Sequence, residues 1–159
     1  MYIAGALDGL ARDVVMAIKY TPSRSASKDA SALMSAKLPY LETESTVVVH
    51  VPTTPGRIRE RAFDQADVLA STIAKAMGLR QIRCLSRITN YHQVGATKKE
   101  RFEHMKNAFE CAKPELVKGK TVLIVDDVLT TGATLESAAR VLKKAGAKRI
   151  IATVFARTE

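Results

Sequence analysis

The sequence predicts an α/β fold with a central parallel sheet covered by helices on both faces. Three observations point there. Short β-branched runs alternate with segments whose apolar residues recur at helical spacing. The runs "VLIV" (122–125) and "IIATVF" (150–155) are apolar without a break, as in strands buried on both sides. One of these strands runs into two adjacent carboxylates and a Thr/Gly turn, at the end where open parallel sheets hold ligands.

The elements follow in order. Leu7, Leu10, Ala11, Val14, Val15 and Ile18 are spaced as one face of a helix, which "YTPSRS" ends at Pro22. A weaker helix is expected from about Ala26 to Lys37, before Pro39. "TVVVHV", Thr46 to Val51, is a β-branched strand stopped by Pro52. "PTTPGRIRERAF" (52–63) reads as a loop rich in Pro, Gly and Arg. From Asp64 to Met77 the apolar residues Ala66, Leu69, Ala70, Ile73, Ala74 and Met77 predict a helix, with Gly78 placed to end it. "IRCL" (82–85) is a short strand candidate. Tyr91 to Lys106 is polar and basic, and reads as a mobile loop leading into a short helix or hairpin. Thr121 to Val125 is a strand, and Gly132 to Lys144 a helix with Leu135, Ala138 and Leu142 inward. Gly146 follows, and Arg149 to Phe155 is the last strand.

Composition narrows the function classes. The 159 residues suit one domain, 1–159, and 47% hydrophobic content is enough for one core. No apolar run is long enough to span a bilayer. The first residues lack a basic leader, and Asp8, Arg12 and Asp13 interrupt any apolar centre. A cytoplasmic location is therefore expected. Two cysteines, Cys84 and Cys111, are far apart in sequence, which excludes a zinc site built on paired cysteines and reads as two reduced, packed thiols. The net charge of +9 favours an anionic partner without choosing one.

The chemistry concentrates in "TVLIVDDVLTTGATLESAARVL" (121–142). Asp126 and Asp127 repel each other, so the pair suits a ligand that satisfies both, such as vicinal hydroxyls or a metal-bearing sugar. Thr130, Thr131, Gly132, Ala133 and Thr134 then turn into a helix start. Its first amides and positive dipole end suit a phosphate. An acidic pair followed by a phosphate cradle reads as a clamp for ribose 5-phosphate, formed by Asp126, Asp127, Val128, Leu129 and the turn 130–134. No GxxxxGK[ST] and no GxGxxG is present, and the adjacent carboxylates are wrongly spaced for an aspartyl-phosphate enzyme. The bland alternative is an ordinary strand–loop–helix with capping threonines.

"VLIVDDVLTTGATL" resembles the phosphoribosyl pyrophosphate (PRPP) signature of type I phosphoribosyltransferases. Over nearly the whole chain, "VPTTPGRIRERAFDQADVLASTIAKAMG", "IKYTPSRSASKDASALM", "QVGATKKERFEHMKNAF" and the terminal "ART" are similar to segments of the ComF family of competence-related phosphoribosyltransferase proteins. The resemblance implies the type I fold, a homodimer, and a small hood over the sugar's anomeric carbon. Residues 1–45 would supply the hood and 46–159 the α/β core. It implies that Pro52, Thr53 and Thr54 form the pyrophosphate loop. Tyr91 to Asn107 would be a loop closing over the site, with Gln93, Lys98, Lys99 and Arg101 near its tip. Ala62 stands where the family usually has Gly, Asp64 where it usually has Asn, and Thr53-Thr54 replaces a more hydrophobic pair. The four-cysteine zinc module of many members is not in this sequence.

With PRPP bound, the reaction would be attack at C1 as pyrophosphate leaves, and the main task would be stabilising the departing charge. Magnesium is the natural ion, held largely by ligand and water with Asp126 and Asp127 as its protein partners. Asp126, Asp127, Lys98, Lys99 and Arg101 are the catalytic candidates. Arg57, Arg59 and Arg61 have forks suited to phosphate oxygens, aimed together if their segment is extended. His50 reads as a packed histidine. His92, in the closing loop, is the better base candidate, and His104 fits a solvated face. Tyr2, Tyr20 and Tyr40 are few aromatics for gripping a base, so the acceptor stays open. Three functions follow: a PRPP-dependent transferase, a competence protein binding single-stranded DNA or a helicase partner, and a PRPP-sensing regulator.

Overall fold

The computed structural model describes residues 1–6, 13, 24–88 and 108–158, without the side chains of residues 24–26 and Arg61. In chain order the elements are β1 (Tyr2–Ala6), α1 (Arg24–Ala36), β2 (Thr46–His50), α2 (Pro55–Arg61) and α3 (Gln65–Met77). There follow β3 (Arg80–Gln81), β4 (Leu85–Arg87), β5 (Phe109–Cys111), a 3-10 turn (Pro114–Leu116), β6 (Thr121–Leu129), α4 (Ala133–Lys144) and β7 (Arg149–Arg157). Five strands form one parallel sheet in the order β1-β7-β6-β2-β3, and β4 and β5 form a separate antiparallel ribbon. The predicted α/β architecture is the observed one.

The two faces of the sheet carry different cores because alternate residues point opposite ways. Val48, Leu123, Val125, Ile151 and Phe155 pack with α1 and α3, through Met34, Leu69 and Ile73. Val47, Val49, Val122, Ile124 and Val154 pack with α4 and the ribbon, through Leu135, Leu142, Leu85 and Phe109. Leu69, Ile73 and Leu142 have no exposed surface. Truncating any of them to Ala should cost about 2–5 kcal/mol.

Three differences from the sequence expectations have physical reasons. Tyr2–Ala6 is an edge strand parallel to β7, in register Ile3↔Val154. Its short, Gly-containing "YIAGA" carries little strand signal alone. The expected second helix is α1, and Ala30 and Met34 bury one side of it against the sheet face. Of the helix expected from Leu7, only Asp13 is among the described residues, and it is helical. The segment read as a loop after Pro52 contains α2: Pro55 occupies its first turn, where a missing N–H does no harm, and Thr54 caps it. Finally, "IRCL" divides. Ile82 and Cys84 sit between β3 and the ribbon, and Leu85 opens β4.

Cys84 and Cys111, distant in sequence, meet at the base of the ribbon. Both are free. Burial first, then the charge and hydrogen bond of Cys111, push the Cys84 thiol up to about 12. No helix among the described residues is long and apolar enough to cross a membrane.

Candidate functional site

β6 is the central strand, and it outruns one of its neighbours. Its pairing with β2 ends at His50↔Val125, whereas its pairing with β7 continues to Leu129↔Arg157. Asp126 and Asp127 therefore belong to the strand itself, which does not end before them as expected, and they stand beyond the end of β2. Both are partly buried and line a cleft of about 430 Å³ at the carboxyl end of the sheet. Each is anchored to its own backbone. Asp127 N donates to Asp126 Oδ1 at 2.9 Å, and Val128 N donates to Asp127 Oδ1 at 2.7 Å. Burial first, then the neighbouring Asp127 charge, hold the Asp126 carboxyl well above the usual carboxylate range; Asp64 adds to the effect.

The turn into α4 follows at once. Gly132 occupies the N-cap at φ 80°, a left-handed conformation that costs glycine little, and no side chain caps the helix. Ala133 N donates to Thr131 Oγ1 at 3.4 Å. Val128, Thr130 and Thr134 line the cleft with the two acids. Leu129 does not. It is 6% exposed and packs into the core, while its carbonyl accepts from Thr158 N at 3.0 Å.

The opposite wall comes from the loop after β2. Pro52, Thr53 and Arg57 line the cleft. Thr54 serves instead as the cap of α2, accepting from Arg57 N at 3.4 Å. The helix also breaks the expected convergence of arginines: at about 100° per residue, positions two apart face different ways. Arg59 is exposed and does not reach the cleft, and the Arg61 side chain lies outside the described residues. Lys98, Lys99, Arg101, Gln93, His92 and His104 also lie outside them.

Three cleft residues escaped the sequence reading. Asp64 caps α3, accepting from Ala66 N (3.0 Å) and Asp67 N (3.4 Å), and its second oxygen accepts from Thr53 N at 2.8 Å. Gln65 opens α3 and is 3% exposed. Arg87 reaches in from β4, with its guanidinium carbon 5.3 Å from the centre of the Phe109 ring on the paired strand. The capping position before a helix could have flagged Asp64. Arg87 has no comparable local signal, because only the tertiary fold brings the ribbon to the cleft.

Beneath the loop, His50 is buried as expected. Its Nδ1 lies 3.4 Å from Asp67 Oδ1. Burial depresses its pKa against the pull of Asp64 and Asp67. Burial raises the Asp67 carboxyl, but Arg83, at 2.8 and 3.0 Å, outweighs it and leaves that pKa below the ordinary value. Gln81 Nε2 adds a bond of 2.8 Å to the same carboxylate. This network ties the start of α3 to the strand ends that carry the loop.

Among the described residues no group of three or more His, Cys, Asp or Glu is placed to hold a metal ion. Asp126 and Asp127 offer oxygen donors only. That set fits a hard ion carried mainly by a ligand's own oxygens, as magnesium on a diphosphate is.

Comparison with known proteins agrees with this geometry. A family model described as "Phosphoribosyl transferase domain" matches residues 64–159. The chain is 32% identical over 129 residues to Competence protein F of Haemophilus influenzae, covering 79% of this chain and 53% of that protein. It is 34% identical over 103 residues to Competence protein ComFC of Bacillus subtilis, covering 63% and 39%. The chain thus spans about half or less of the length of these curated relatives. A solved structure, glutamine phosphoribosylpyrophosphate amidotransferase from B. subtilis complexed with ADP and GMP, aligns with a TM-score of 0.61 at 20% identity. The alignment covers 89% of this chain and 30% of that one, a likeness of fold.

Proposed function

The chain belongs to the phosphoribosyl transferase domain family, in its ComF group, and we propose that its cleft binds PRPP and transfers ribose 5-phosphate from it. One observation carries this reading. Asp126 and Asp127 stand on the central strand at one cleft with the turn 130–134, so a sugar's vicinal hydroxyls and its 5-phosphate would each meet suitable partners. Ribose hydroxyls would donate to the two carboxylates, and the phosphate would rest on the first turn of α4.

In the proposed step a nucleophile's lone pair forms the bond to C1. The C1–O bond breaks, and pyrophosphate leaves with the electron pair. The chain's contribution is to orient the ribose through Asp126 and Asp127 and to stabilise the leaving charge from the Pro52–Thr54 and Arg57 side. Asp126 and Asp127 would help to hold a magnesium ion brought in with the ligand, and that ion would offset charge on the diphosphate. Lys98, Lys99 and Arg101 remain proposed partners of the same leaving group.

The test is thermal. PRPP with magnesium should raise the melting temperature, and the double variant Asp126→Asn/Asp127→Asn, which keeps an oxygen for each backbone bond, should abolish the rise. A wild-type chain that does not respond to PRPP would overturn the reading.

A second reading has its own support. Arg140, Lys143, Lys148 and Arg149 line a groove of about 490 Å³ away from the acidic pair, on a chain of net charge +9. Single-stranded DNA would bind there through its phosphates, and its affinity should fall steeply with salt. Absence of binding at low salt would end it. A helicase partner and a homodimer belong to the same proposal.

A further inference from the structure

The side of the cleft facing the acidic pair is built for an anion that the chain itself does not provide. Thr53 N–H, the donor expected to meet that anion, is already engaged by Asp64 Oδ2 at 2.8 Å. Two other kinds of donor stand ready. Gln65 lines the cleft, is 3% exposed, and its Nε2 has no hydrogen-bond partner among the described residues. A buried amide donor without an acceptor is a standing penalty that a native fold keeps only for a reason. Arg57 and Arg87 also line the cleft, and neither makes an ion pair among the described residues. They come from α2 and β4, elements with no sequence contiguity, yet burial first and then the neighbouring Arg57 charge disfavour the Arg87 charge, with Asp126 opposing. Two guanidiniums held in mutual repulsion beside an orphan amide describe a site that is complete only with a multiply charged oxyanion present.

We propose that Gln65 and Arg87, together with Arg57, form the grip on the diphosphate end of the ligand, with the Phe109 ring holding the Arg87 guanidinium in position. This rests on the transfer reading for the identity of the ligand, but the anion site stands without it. It also gives the β4–β5 ribbon a role: the strand before residues 89–107 carries a ligand-binding side chain, so occupancy of the cleft and placement of the ribbon are linked.

The experiment uses the full chain, calorimetric titration and two probes, pyrophosphate with magnesium and ribose 5-phosphate. Gln65→Met keeps volume and helix propensity while removing the donor, and Arg87→Met keeps a side chain over Phe109 while removing the charge. Each should weaken pyrophosphate about tenfold or more and leave ribose 5-phosphate within about twofold. Without ligand, Gln65→Met should melt at or above the wild-type temperature, since it removes an unsatisfied buried donor; a merely structural glutamine would give the opposite sign. Pyrophosphate affinity unchanged in both variants, or no pyrophosphate binding by the wild type, overturns the proposal. If ribose 5-phosphate fails to bind the wild type while pyrophosphate binding still depends on Gln65 and Arg87, the ribose clamp falls and the anion site stands.

Discussion

On one side of the cleft, Asp126 and Asp127 stand on the central strand and are followed without a gap by the turn into α4. On the other, Arg57 stands on a seven-residue helix and Arg87 on a three-residue strand of the ribbon. Each wall has one residue in the left-handed region. The acidic wall puts glycine there, Gly132 at φ 80°; the basic wall puts alanine, Ala62 at φ 64°. The acidic wall is thus contiguous, mounted on the sheet and free of side-chain strain. The basic wall is assembled from separate peripheral pieces. Under the proposed function, the acidic wall would be the fixed grip on the sugar and the basic wall the more adjustable one on the leaving group.

Substitutions can break or sharpen that contrast. The largest effect is expected from Asp126→Asn, which should abolish the response to PRPP and yet raise the melting temperature of the free chain at neutral pH. Burial raises the Asp126 pKa in the folded state, so above the ordinary carboxylate pKa of about 3.9 the folded chain holds a proton that the unfolded chain has released. That contribution to stability is complete at low pH and is lost as pH climbs through the raised value. The Asn variant has no such loss. Its advantage in melting temperature should open between about pH 4 and neutrality, and an advantage independent of pH would contradict the assignment.

A smaller effect is expected on the opposite wall. Asp64→Asn removes one negative charge from beside the proposed diphosphate grip, and its single acceptor oxygen keeps the cap of α3 only by releasing the Thr53 N–H. Pyrophosphate should bind about fivefold tighter, on the order of 1 kcal/mol, while the lost Thr53 bond lowers stability by about 1 kcal/mol; titration and unfolding of the two proteins side by side decide it. The smallest is Ala62→Gly. Relief of the left-handed strain, offset by the extra freedom of glycine in the unfolded chain, should stabilise by about 0.5–1 kcal/mol in denaturant unfolding. Gly132→Ala should do the reverse, since φ 80° disfavours any side chain even though a Cβ would meet only Leu129, at 3.6 Å.

The same contrast explains what the sequence disclosed. β6, α4 and the acid–threonine–glycine stretch between them are one continuous segment, so periodicity and residue chemistry located the acidic wall. α3 was legible for the same reason, with Gly78 at its end. β1 was not, because an edge strand of five small or weakly patterned residues draws its stability from pairing with β7. α2 was not, because Pro, Gly and alternating charges mask a short helix whose cap is Thr54. Arg87 and Gln65 were unreadable as site residues. Their meaning lies in where the ribbon and the start of α3 arrive, and in an amide without a hydrogen-bond partner and a guanidinium without an ion pair among the described residues.

β6 runs on past the end of β2, and there its two carboxylates each fold back to tie off the amide that follows. The knot is made of the same side chains that would meet a sugar. An alanine at either position therefore frays the strand as well as removing an acceptor, and loss of binding in such a variant would mix two causes. Asparagine, which can retie the knot without the charge, separates them.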